Sequence, residues 1–219
     1  MSSSRPTLLK PLFPLALTTV LILGGCATLP TTETHPEERA ATAAQWQAHS
    51  SMMRRLTDWS LSGRAAISTD NGGGNVTLRW TQVADTYDMF FSAPLGQGAI
   101  RIIGDDRQVL IIDEQGREAR SNDADTLIRE LTGWRVPVTA LPAWIRGLPL
   151  TEDKASIRIN NQGLLASTTY GDWTVNYDRY TEQAGFWLPT RIRINAQDIS
   201  IRLVVDQWDV QPLSETRIK

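Results

Sequence analysis

Few side chains in this sequence could do chemistry. Cys26 is its one thiol, and His35 and His49 are its two imidazoles. Nucleophilic catalysis of the Ser-His or Cys-His kind needs an imidazole beside the nucleophile, and no histidine follows position 49. A zinc site needs three or four converging ligands, and neither histidine has a second His, Cys or carboxylate cluster beside it. His35 reads as a tether residue and His49 as a half-buried packing residue. Asp105-Asp106 follows Gly104 in a turn, where paired carboxylates solvate a loop. No nucleophile elbow or phosphate loop occurs, and one cysteine permits no internal disulfide. What remains is Cys26, whose meaning depends on what precedes it.

Residues 1–11 carry Arg5 and Lys10 and no acid, and an apolar run from Leu12 leads to Gly25. About 14 residues at about 1.5 Å each cannot span a bilayer core of about 30 Å, so the run reads as the core of an export signal. It ends in Leu23-Gly24-Gly25-Cys26, which resembles the lipobox of bacterial lipoproteins. Small residues let an extended segment enter a peptidase cleft, and the thiol is the nucleophile that takes a diacylglyceryl group. The resemblance implies a mature chain that starts at Cys26, faces the periplasm and is held by acyl chains. Ala27 in place of Asp points to the outer membrane. The expected organisation is a signal peptide over 1–25, a lipidated tether over 26–36, one domain over 37–211 and a tail over 212–219.

The full chain has 22 Lys and Arg against 24 Asp and Glu. That balance offers no basic excess for nucleic acid, and export would remove two of the cations.

The elements that position everything else follow from periodicity. Thr34-His35-Pro36-Glu37 looks like a helix start. A helix over about 37–56 places Trp46, His49, Met53 and Leu56 on one stripe. From Asp58 the period becomes two. Trp59, Leu61, Gly63, Ala65 and Ile67 alternate with polar residues, as in a half-buried strand. Further strands are expected near 76–81, 87–92, 99–103, 108–112, 117–120, 155–160, 163–170, 172–179, 187–195 and 199–209. Short amphipathic helices are expected over 122–132 and 139–146. Trp59, Trp187 and Trp208 are expected in the core, with Arg64 and Arg79 on the outer polar face. The class is mainly β (α+β). Hairpin-length gaps make the sheet antiparallel, and about eleven strands make it curl. The expected shape is a half-barrel whose apolar face is covered by a lid of short helices, enclosing a hydrophobic cavity. Strand alternation and lid position suggest Trp80, Phe90, Ile100, Ile102, Trp144, Ile145 and Tyr177 as its lining. The loop tip Pro94-Leu95-Gly96 forces a turn that presents a leucine to solvent.

These features in order resemble the LolB family of outer-membrane lipoproteins. The resemblance rests on Leu61-x-Gly63-Arg64, Trp80-x-Gln82, Pro94-Leu95-Gly96, Asp123-Ala124-Asp125 and Leu131-Thr132-Gly133. It continues through Val136-Pro137-Val138, Leu141, Trp144 to Pro149, Trp173 with Tyr177, Leu188-Pro189 and Trp208. It implies a lipoprotein receptor that accepts cargo, through the cargo's acyl chains, from the periplasmic carrier LolA and inserts it into outer-membrane lipid. Leu95 falls at the family's membrane-targeting loop. No cofactor, metal or catalytic residue is implied, and a monomer is expected. The alternative is a structural outer-membrane lipoprotein that binds a protein partner as an assembly factor.

Overall fold

Eleven strands form near where the alternation places them. A computed structural model describes residues 36–70, 72–94, 98–132, 136–150 and 156–210. Strands β1 (Trp59–Thr69), β2 (Gly72–Val83), β3 (Thr86–Ser92), β4 (Ala99–Gly104), β5 (Val109–Ile112) and β6 (Glu118–Ser121) run as a meander. Strands β7 (Ser156–Ile159), β8 (Leu165–Tyr170), β9 (Trp173–Gln183), β10 (Phe186–Asn195) and β11 (Ile199–Val210) form a second. The two meanders join where β1 pairs with β11, giving the order β6-β5-β4-β3-β2-β1-β11-β10-β9-β8-β7, antiparallel throughout. The sheet does not close: β6 and β7 are its edges. Cys26 and the expected signal, lipidated tether and tail lie outside the described residues, apart from Pro36.

Register fixes which residues share the inner face. Leu61 opposes Trp80 and Trp208, and Ala65 opposes Val76 and Leu203. A bulge after Ser62 brings Gly63 so close to the next strand that a Cβ there would lie 2.4 Å from the Val204 carbonyl oxygen, which accounts for the glycine in Leu-x-Gly-Arg. Arg64, on the outer face as expected, makes a two-point ion pair with Asp206.

Helix α1 (Pro36–Arg54) packs against β7 and β10. Trp46, His49, Met53 and Leu56 are all buried, and His49 is more deeply buried than the expected half. Helix α2 (Ala124–Thr132), a 3-10 turn (Val138–Ala140) and α3 (Leu141–Ile145) replace the two expected short helices, with Pro142 in the first turn of α3. Strand β9 runs past residue 179 to Gln183 because Ala184-Gly185 makes a tight hairpin with φ of 51° and 83°. Two positive φ values suit such a turn, but alanine does not advertise one. Trp187 is a correction. It is 38% exposed, since Phe186 and Leu188 take the inward positions on either side of it. All described residues belong to one compact unit. That unit carries its own core, as a domain that folds alone requires.

Candidate functional site

The inner face is more than a packed core. Between the inner face of the sheet, over β1–β5, β10 and β11, and the helices lies a cavity of about 420 Å³. Ala65, Leu78, Met89 and Leu203 line it from the sheet, and Ile128 and Leu141 from the helices. Asp113 and Arg117 are the two charged residues among the described ones that reach it. Apolar concavity of this size is what small hydrophobic ligands fill. Among the described residues no three His, Cys, Asp or Glu converge as a metal site would require.

The helices are fastened by a few directional bonds. Asp123 accepts from the Thr126 N–H at 3.0 Å and caps α2. Asp125 accepts from the Val138 N–H at 2.8 Å and ties α2 to the 3-10 turn. Burial pushes the Asp125 carboxyl above its ordinary value, against the hydrogen bonds from Thr139 and Val138. The Tyr177 hydroxyl donates to the Trp144 carbonyl at 2.9 Å, and burial holds that phenol well above the ordinary tyrosine value, so it remains a donor. Arg146 donates to the carbonyls of Pro142 at 2.9 Å and Leu56 at 2.7 Å, clamping α3 to the C-terminal end of α1. Burial, and then the nearby Arg54 charge, lower the Arg146 value. Gly147, at φ 75°, would bring a Cβ within 3.0 Å of the Tyr180 hydroxyl.

Trp80 is 2% exposed, and its indole N–H donates to Gln82 Oε1 at 3.1 Å. Gln82 in turn donates to the Ala84 carbonyl at 2.8 Å. Trp-x-Gln is therefore a device for burying an indole without an orphaned donor. Trp59 stacks between Trp80 and Trp208, at ring separations of 5.1 and 5.4 Å.

Of the seven residues suggested as lining, Trp80, Ile100, Ile102 and Ile145 border the cavity. Phe90 does not. The register Trp80–Met89 and Leu78–Phe91 turns Met89 and Phe91 inward and Phe90 outward, where the Arg79 guanidinium sits 5.1 Å over its ring. Arg79 is thus on the outer face, as expected. Trp144 and Tyr177 also lie off the cavity. Trp144 is fully buried against Trp173 at 5.9 Å, and Tyr177 holds the Trp144 carbonyl. Met89, Phe91 and Ile128 were missed, although counting by twos from Tyr87 finds the first two. Pro94 is exposed, and the loop it opens is closed at its base by the Ala93 N–H to the Gly98 carbonyl at 2.9 Å. Leu95 and Gly96 lie outside the described residues.

The family model described as "Outer membrane lipoprotein LolB" matches residues 57–208. The outer-membrane lipoprotein LolB of Pseudomonas savastanoi pv. phaseolicola is 34% identical over 197 residues, covering 90% of this chain and 95% of its own. That of Pseudomonas fluorescens is 36% identical, covering 86% and 91%. That of Pseudomonas aeruginosa is 36% identical, covering 91% and 96%. Two crystal structures share the fold at low identity. A LolA superfamily protein from Nitrosomonas europaea gives a TM-score of 0.50 at 8% identity, covering 78% of this chain and 94% of its own. A DUF1329 family protein from Desulfovibrio piger gives 0.53 at 7%, covering 81% and 94%. With the family model spanning most of the chain and these relatives aligned nearly end to end, the chain belongs to the LolB family of outer-membrane lipoproteins.

Proposed function

We propose that this protein is the last acceptor in a lipoprotein relay. Its family makes it an outer-membrane receptor in lipoprotein localisation and not an enzyme. In the finer reading, a periplasmic carrier of the LolA kind hands it an acylated protein. The acyl chains enter the cavity, and the protein releases them into the outer membrane. The observation that carries this reading is the apolar cavity itself. Each methylene kept from water saves about 0.8 kcal/mol, so acyl chains cross the aqueous space only between such shelters. Transfer then needs no fuel beyond higher affinity at each acceptor. In the same reading Cys26 carries the anchor, and Leu95 touches the bilayer at the tip of the loop closed by Ala93 and Gly98.

The test uses residues 27–219, a soluble chain without Cys26, mixed with carrier-bound lipoprotein. Cargo is expected to co-purify with the soluble chain, because acceptance uses the cavity and not the anchor. If no cargo moves and no fluorescent acyl probe binds, the relay reading fails. In the anchored protein, Leu95→Glu is expected to leave acceptance intact and to block delivery into vesicles; unchanged delivery would remove Leu95 from the mechanism.

A further inference from the structure

We propose that Arg117, held by Asp113 at the mouth of the cavity, is the site that recognises the neutral ester head of the cargo's acyl group. This rests on the relay reading and adds the place where the polar end of the ligand is bound. A lipid-modified cysteine presents more than hydrocarbon. The two chains of its diacylglyceryl group end in ester carbonyls, which accept hydrogen bonds and carry no charge. A cavity that bound only hydrocarbon would offer those acceptors no protein donor at its mouth, where the apolar rim displaces part of their water.

The open end is identifiable. Ile100 and Leu131 are 36% and 53% exposed, yet both border the cavity. Exposed apolar side chains that also line a cavity mark its rim. The rim's charged residues are Asp113 and Arg117, in the turn between β5 and β6. Asp113 is committed to that turn. One carboxylate oxygen accepts from the Gln115 and Arg117 N–H groups at 2.9 Å, and the other accepts from Arg117 Nε at 2.6 Å. Arg117 is not committed. Its side chain is 78% exposed, Nη2 reaches Gln115 at 3.2 Å, and Nη1 has no acceptor among the described residues. A guanidinium fixed by one edge thus keeps a donor for a ligand at the edge of an apolar chamber.

Charge balance selects the ligand. Asp113 offsets the arginine charge at the site, so a neutral carbonyl is welcome while an anionic head meets the carboxylate. The same turn also adjoins the β3–β4 loop, since a Cβ on Gly98 would lie 3.7 Å from the Glu114 carboxylate. The proposed head site therefore stands beside the base of the loop that the relay reading sends to the membrane.

The experiment compares two pyrene-tipped probes of equal chain length, a methyl ester and an alkane, on the soluble chain. The wild type is expected to bind the ester about tenfold tighter than the alkane. Arg117→Leu should lose that preference while its alkane affinity stays unchanged, and Arg117→Lys should recover it in part. Asp113→Asn should admit the free carboxylic acid probe better than the wild type does. Equal affinity of the wild type for ester and alkane would overturn the head site and leave the cavity reading standing. Binding of neither probe would overturn both. A diacylglyceryl-cysteine peptide should displace the ester probe at about tenfold lower concentration than phosphatidylglycerol, because the phosphate faces Asp113. Equal or better displacement by the phospholipid would overturn the assignment to cargo.

Discussion

The cavity can be shortened without unfolding the sheet that makes it. Ala65 is the smallest side chain of its lining, midway along β1 and 7% exposed. Ala65→Leu adds three carbons directed into empty apolar space. At roughly 30 Å³ per methylene, the share a water takes in the liquid, that fills about 90 Å³ of a cavity of about 420 Å³. The remaining room falls from about 14 methylenes to about 11. Three methylenes turned back into water cost about 2.4 kcal/mol, or roughly 50-fold in affinity. Chains of ten carbons should bind as before, because they never reach the filled end. The assay titrates fluorescent acyl probes of ten and sixteen carbons and records the melting temperature of each protein. The expected result is a selective loss for sixteen carbons in a protein that melts no lower than the wild type. An Ala65→Leu variant that melts normally and binds the long probe unchanged would refute the claim that acyl chains occupy this cavity. An equal loss for both probes would refute the volume argument.

Three further outcomes concern the framework. His49 is buried, its two ring nitrogens have no hydrogen-bond partner among the described residues, and desolvation lowers its pKa from 6.5 to about 4. The unfolded chain therefore binds the proton first, and stability present above pH 6.5 is lost as the pH falls towards 4. The contribution is about 2–3 kcal/mol between pH 7.5 and 4.5. His49→Phe should remove that part of the acid sensitivity, read from urea midpoints at the two pH values. Arg146→Ala should destabilise by about 2–3 kcal/mol, since carbonyls of Pro142 and Leu56 lose a charged donor, and chemical denaturation measures it. Gly163→Ala should cost about 1–3 kcal/mol, because φ is 71° and the new Cβ would lie 2.4 Å from Gln45 Cβ in α1. An unchanged midpoint would mean that α1 gives way freely at that contact.

Sequence periodicity carried the strands a long way, and its failures are local. Alternation located all eleven, because one face of this sheet is apolar and a one-residue slip would turn it outward. The same parity, applied from Tyr87, separates Phe91 from Phe90 and puts Phe91 on the inner face. Trp187 went astray because its size suggested core while its position between Phe186 and Leu188 dictated solvent. The hairpin at Ala184-Gly185 carried no strong turn signal, so β9 was cut short. Arg117 and Asp113 were invisible as a pair at a cavity mouth, because nothing local says where the open end of a curled sheet lies.

The motifs that carried the family resemblance turn out to serve the walls of the chamber more than its contents. Gln82 satisfies the indole of Trp80, Asp125 ties α2 to the turn before α3, and Tyr177 and Arg146 hold the α3 segment. By contrast, the lining is mostly aliphatic, which suits the proposed acyl ligand, whose tail offers nothing to hydrogen-bond. Volume then sets a condition on the relay. A chamber of about 420 Å³ holds about 14 methylenes at roughly 30 Å³ each, a little less than one sixteen-carbon chain. A cargo with three chains needs more than three times that room. The α2 segment is tied to the 3-10 turn by the Asp125 carboxylate, which accepts from the Val138 and Thr139 N–H groups. Apolar contacts re-form on new partners as easily as on old ones, so acyl chains can replace the lining's own contacts while the clamps at Tyr177 and Arg146 keep α3 in register.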